Sequence, residues 1–169
     1  RVLFRSSRNV LEESARIARG NIVPLSDINV NDFDAVMLPG GFGAAKNLCD
    51  YATAGADIAV DADVARLLKE FHSARKPIAA VCIAPVILAA VFGKHSSPAE
   101  ITIGNDEQTA GHIQSLGATH TQCPVTEFVV DRPNRIITSP AYMYDATPAQ
   151  VYDGISKTVN ALMDLIKAG

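Results

Sequence analysis

The stretch Lys76–Ala90 limits what this chain can fold into more than any other part of it. Ile78, Ala79, Ala80 and Val81 are small or β-branched, with no polar residue among them, and read as a short strand buried on both faces of a sheet. The apolar run after Pro85 reads as a helix packed on that sheet. Cys82 falls on the corner between the two. The residues two before and two after it are Ala80 and Ala84, which gives small-x-Cys-x-small, the steric pattern of the G-x-S-x-G nucleophile elbow. A tight strand-to-helix turn crowds its neighbours, so only small side chains fit there, and the apex residue is held clear of the backbone. Pro85 suits the first turn of a helix, whose free N–H groups and dipole favour a thiolate on Cys82. The competing reading is a core cysteine, because free cysteine is among the most buried residue types.

A second apolar strand, Ala35–Leu38, runs into Pro39-Gly40-Gly41-Phe42-Gly43. A strand followed by glycines is where an α/β sheet opens its ligand crevice. Between the two strands, Asp61–Arg75 places Val64, Leu67, Leu68 and Phe71 at i, i+3, i+4 and i+7, with Asp61, Asp63, Lys69, Glu70 and Arg75 outside, and so predicts an amphipathic helix. Strand-helix-strand units are parallel and right-handed, so the diglycine and Cys82 should reach the same edge of the sheet. There the amides of Gly40 and Gly41, with no side chain to block approach, become candidate oxyanion donors beside Cys82. Reading Gly41 and Gly43 as the start of G-x-G-x-x-G puts Lys46 at the third glycine and leaves no clearly placed ribose-binding carboxylate, so a dinucleotide site is disfavoured and no cofactor is expected.

The rest of the chain fits one domain. Ser7–Arg19 has helical spacing with Gly20 as a stop, a surface helix, and Asn47–Ala59 reads as a loop or broken helix. Ile101–Ile103 predicts a short strand, Ala110–Leu116 a short helix, and Phe128–Val130 with Arg135–Thr138 a hairpin. Thr147 as N-cap and Pro148 at the first helical position open a long helix, with Ile155, Val159, Leu162 and Ile166 as its expected buried stripe. The net charge of −3 provides no basic field, which argues against nucleic acid and anionic membranes as partners. The longest apolar run, Ile78 to Phe92, is broken by Pro85 and falls short of the ~18 residues of a membrane span. Cys49, Cys82 and Cys123 are widely spaced and odd in number, which argues for a reducing compartment. Arg1–Ser6 joins abruptly onto the helical pattern, lacks an initiator methionine and reads as a non-native scar, so residues 7–169 are taken as the domain.

His120 and Cys123 are spaced as a loose metal pair, but two ligands without a second pair make no site, so no metal is expected. His120 is the candidate proton-transfer partner for Cys82. His72, His95 and His112 read as surface residues, Cys49 and Cys123 as inert thiols, and Asp106-Glu107 as solvated charge.

Leu38-Pro39-Gly40-Gly41-Phe42-Gly43-Ala44-Ala45-Lys46-Asn47, then Lys76-Pro77-Ile78 and Val81-Cys82-Ile83-Ala84-Pro85, with Arg8-Asn9-Val10 through Ala15–Gly20 upstream and Ile137-Thr138-Ser139-Pro140-Ala141 downstream, resemble the ElbB branch of the ThiJ/PfpI superfamily. The cysteine elbow is shared more widely, including with class I glutamine amidotransferases. The resemblance covers the chain after Ser6 and implies a flavodoxin-like α/β three-layer sandwich with a mostly parallel sheet, a homodimer for the intact parent, and a glutathione-independent glyoxalase activity on glyoxal-type dicarbonyls. Members of the PfpI type place a histidine directly after the cysteine, where this chain has Ile83, so peptidase activity is not expected. Family members also carry a first strand, a helix and a second strand ahead of this point, with a glutamate that contacts the nucleophile. This sequence is therefore expected to lack them, to leave the Met37 and Cys82 strands with an unpaired edge, and to be impaired by itself.

In the implied mechanism, the Cys82 thiolate attacks an aldehyde, Gly40, Gly41 and the Ile83 amide stabilise the oxyanion, and the upstream glutamate or, more weakly, His120 moves the proton. The expected location is cytoplasmic, or mitochondrial in an animal. The alternative is a non-catalytic amidotransferase-like regulatory protein in which Cys82 senses oxidants.

Overall fold

The computed structural model describes residues 8–169; the segment 1–6 lies outside the described residues. In chain order the elements are α1 (Val10–Ile17), β1 (Val36–Leu38), α2 (Tyr51–Ala54), α3 (Ala62–Ser73), β2 (Ile78–Val81), α4 (Pro85–Phe92), β3 (Glu100–Ile101), α5 (Glu107–Ser115), β4 (Thr119–His120), β5 (Val129–Asp131), β6 (Ile136–Ser139) and α6 (Pro148–Lys167). The main sheet has the order β1-β2-β6-β5, with β1, β2 and β6 parallel and β5 antiparallel to β6. β3 and β4 form a separate parallel pair. Side chains join the two sheets: the Thr102 amide donates to Thr138 Oγ1 at 2.9 Å and the Glu100 amide to Asp131 Oδ2 at 2.8 Å.

The pattern of β2 sets the layers. All four of its residues are buried, as a strand covered on both faces requires. Ile78 and Ala80 join the cluster of Leu67, Leu68 and Phe71 from α3 and Ile87 and Leu88 from α4, while Ala79 packs with Ile137 and with Leu162 of α6. The result is an α/β three-layer sandwich with α3, α4 and α5 on one side of a mostly parallel sheet and α6 on the other. In α3 the buried positions are Val64, Leu67, Leu68 and Phe71, and Asp61 caps it by accepting the amides of Asp63 and Val64. No helix among the described residues is long and apolar enough to cross a membrane.

Three expectations need correction. First, β1 and β2 pair directly, Val36 with Ile78, Met37 with Ala79 and Leu38 with Ala80, because α3 crosses over between neighbouring strands. β2 therefore lies between β1 and β6 with no free edge, and the unpaired edge among the described residues on this side belongs to β1 alone. Second, α5 begins at Glu107 rather than Ala110, since Asp106 accepts the Thr109 amide at 2.7 Å and caps it; these Thr109 contacts hold the Asp106 carboxyl below its ordinary pKa. Third, the buried stripe of α6 is Val151, Gly154, Thr158 and Leu162, whereas Val159 is exposed and Ile155 and Ile166 are half-buried. The helix is turned toward Gly154 because the Val125 carbonyl lies against it, where a Cβ would meet the oxygen at 2.2 Å. Thr158 satisfies its buried hydroxyl by donating to the Gly154 carbonyl at 2.8 Å.

Candidate active site

Cys82 directly follows β2 and has φ +60°, a left-handed conformation that costs a non-glycine residue about 1–2 kcal/mol. Surrounding bonds hold it there: its own amide donates to the Ser139 carbonyl of β6 at 3.0 Å, and the Ala84 amide turns back to the Val81 carbonyl at 3.2 Å. Ala80 and Ala84 are fully buried, as a corner with room only for small side chains demands. Pro85 then opens α4. The Cys82 side chain is half-buried, in contrast to the buried Cys49 and Cys123. Burial pushes both of those thiols up, Cys123 to about 11, so neither carries a thiolate at neutral pH.

The diglycine arrives at the same edge. Gly40 and Gly41 have φ of +82° and +79°. A Cβ on Gly40 would stand 2.4 Å from the Val81 carbonyl oxygen and 2.9 Å from Cys82 Cβ, so the turn lies against the cysteine with no room between them. Among the described residues the amides of Gly40, Gly41 and Ile83 donate to no protein acceptor. Gly41, Ile83 and Cys82 share one cavity of about 300 Å³, whose other walls are Phe42, Ala45, Tyr51, Ala52 and Met143. A thiol beside unpaired backbone donors is the arrangement that adds to a carbonyl and holds the oxygen as charge develops on it.

His120 does not line that cavity. It lies on β4, where its Nε2 accepts the Ile103 amide at 3.4 Å, and burial lowers its pKa below 6.5. The ring is thus held neutral by a bond its protonation would break. Because the unfolded chain takes up that proton at a higher pH than the folded one, the unfolded state binds more protons in the window just below about 6.5, and stability falls as the pH is lowered through it. In His120→Gln this part of the acid-side decline is expected to vanish from a pH series of urea midpoints.

Two histidines read as surface residues are not. His112 is half-buried, with Nδ1 3.0 Å from the Tyr51 hydroxyl, and His72 is half-buried between Phe92 and Asn134 Oδ1, 3.2 Å from its Nε2. Sequence reasoning did not single out Tyr51 or Met143. Both stand on single turns with no periodicity of their own, α2 and the 3-10 turn Ala141–Met143.

A model of the DJ-1/PfpI family matches residues 22–139, the span that carries β1, the diglycine, the Cys82 corner and β6. The chain belongs to the DJ-1/PfpI family. Among relatives of this DJ-1/PfpI chain, the mitochondrial ES1 protein homolog of Rattus norvegicus is 43% identical over 170 residues, covering 95% of this chain and 62% of that protein. The mitochondrial glutamine amidotransferase-like class 1 domain-containing protein 3 of Homo sapiens is 44% identical over 168 residues, covering 94% of this chain and 61% of that protein. The chain therefore spans about three-fifths of the length of these relatives. The crystal structure of an isoprenoid biosynthesis protein with an amidotransferase-like domain from Ehrlichia chaffeensis superposes with a TM-score of 0.85 at 36% identity, over 94% of this chain and 71% of that one.

Proposed function

We propose that this DJ-1/PfpI chain carries the cysteine site of a glutathione-independent, glyoxalase-like enzyme of the ElbB type that converts small dicarbonyls to hydroxy acids. The observation that carries the reading is the half-exposed Cys82 on a strained apex, lining one cavity together with Gly41 and Ile83, whose amides make no hydrogen bond to the described protein. The Cys82 sulfur, as thiolate, forms a bond to the aldehyde carbon while the carbonyl π electrons move onto oxygen, which the two amides stabilise. A base then takes the proton from that carbon and returns it to the neighbouring one through an enediolate. Water cleaves the resulting thioester, which releases the hydroxy acid and restores the thiol. Among the described residues no carboxylate or histidine lines the cavity, and His120 is engaged at the Ile103 amide outside it, so the base is assigned to the upstream glutamate that the family resemblance implies. In the full-length parent, Cys82→Ser is expected to reduce lactate formation from methylglyoxal by at least about a thousand-fold, the usual cost of losing a nucleophile; turnover near the parent level would overturn the assignment. The parent is further proposed to work as a homodimer without cofactor or metal. The mitochondrial designation of its mammalian relatives supports that compartment over the cytoplasm.

That no acid or base lines the cavity among the described residues also supports a second reading, an oxidant-sensing regulatory protein. Mild peroxide would then oxidise Cys82 ahead of Cys49 and Cys123, and dicarbonyl turnover would be absent from the full-length parent.

A further inference from the structure

The walls of the Cys82 cavity point to a narrower class of substrate than the mechanism requires. Among the described residues Phe42, Ala45, Tyr51, Ala52, Ile83 and Met143 form them, and none of these carries a charge. The nearest cation on this segment, Lys46, is outside the lining and already engaged, with Nζ 5.0 Å from the centroid of the Phe42 ring. Tyr51 has its hydroxyl bonded to His112, which is not part of the wall, so it offers the cavity its ring. Phe42 is 70% exposed at the rim, an apolar ring left in water beside the reactive thiol. The cavity of about 300 Å³ is many times the space a single water needs, and more than glyoxal, with two carbons and two oxygens, can fill.

We infer that the cavity selects neutral electrophiles with an aromatic or bulky apolar substituent: within the glyoxalase reading on which this rests, aryl-substituted 2-oxoaldehydes over glyoxal and over carboxylate-bearing carbonyl compounds. The reacting carbonyl oxygen meets the Gly41 and Ile83 amides, and the substituent displaces water from Phe42, Tyr51 and Met143. A second anionic group would lose its hydration with no partner among the described residues of the wall.

Alkylation tests this without turnover. The thiolate sulfur displaces iodide from carbon, and the rate at each cysteine is read by peptide mass spectrometry on the whole 169-residue chain. N-benzyl iodoacetamide, iodoacetamide and iodoacetate are compared in the folded protein, each normalised to the same chain unfolded in urea, where only intrinsic reactivity remains. Cys82 in the folded chain is expected to favour the benzyl reagent over iodoacetamide by about ten-fold, the worth of burying a few apolar groups, and to disfavour iodoacetate by a similar factor. Met143→Lys, which adds a cation to the wall, is expected to recover most of the iodoacetate rate. Ratios equal to those of the unfolded chain, or a preference for the anion, overturn the inference. Turnover of phenylglyoxal and glyoxal by the full-length parent then separates the two claims: selective labelling without turnover of either sinks the glyoxalase reading and leaves the cavity's preference standing, while turnover without labelling selectivity sinks the preference alone.

Discussion

Gly40→Ala is expected to cost about 3 kcal/mol of stability, the sum of left-handed strain and overpacking against backbone. It is also expected to slow lactate formation from methylglyoxal in the full-length parent by about a hundred-fold, the usual effect of moving a catalytic group by an ångström. The new Cβ would lie 2.4 Å from the Val81 carbonyl oxygen and 2.9 Å from Cys82 Cβ, at φ +82°. The carbonyl cannot yield freely, because it accepts the Ala84 amide that closes the corner. Cys82 must shift or the diglycine must lift away, and either change parts the thiol from its amides. Gly41→Ala is the control: its φ is +79°, but nothing lies within 4 Å of the added atom, so only strain of about 1–2 kcal/mol is expected. Urea unfolding of the two variants, with methylglyoxal turnover of the same changes in the full-length parent, separates steric from conformational cost. Equal losses would mean that the diglycine does not abut the cysteine.

Gly154→Ala should reverse the usual sign of a helix substitution. Alanine normally stabilises a helix interior by about 1 kcal/mol relative to glycine, and Gly111→Ala in α5, with open space around it, is expected to do so. At Gly154 the Cβ would meet the Val125 carbonyl oxygen at 2.2 Å, so a loss of about 2–3 kcal/mol is expected as α6 is pushed off the loop. The helix start is tied to the cysteine corner through the cluster of Val81, Ala141 and Val151. Loosening it should therefore raise Cys82 reactivity toward bulky reagents as well as lower the urea midpoint. A stabilised Gly154→Ala would show that α6 sits elsewhere.

Much of this was legible along the chain because it is local. The four-residue apolar strand, the alanines flanking Cys82, Pro85 at a helix start and the i, i+3, i+4, i+7 spacing of α3 are encoded within a few residues of one another, and backbone sterics and amphipathic burial act over that range. The parallel crossover extended the reach: the handedness of strand-helix-strand units brings Gly40 to Cys82 although 42 positions separate them in the numbering. The stripe of α6 was misread because hydrophobicity favoured Val159 over Gly154, and nothing in the helix's own sequence announces a carbonyl from residue 125 pressed against it.

The residues by themselves determined the layers of this DJ-1/PfpI chain, the sharp corner and the thiol on it, since each follows from side-chain size, period and backbone geometry within single elements. Only the tertiary structure decided what surrounds that thiol. Tyr51 reaches the cavity on a turn fastened to His112, Met143 comes from the 3-10 turn that follows β6, and His120 is held at the Ile103 amide outside the cavity. These are contacts between segments distant in sequence, fixed by how the layers pack and by which polar groups find partners there, and that information is spread over the whole chain.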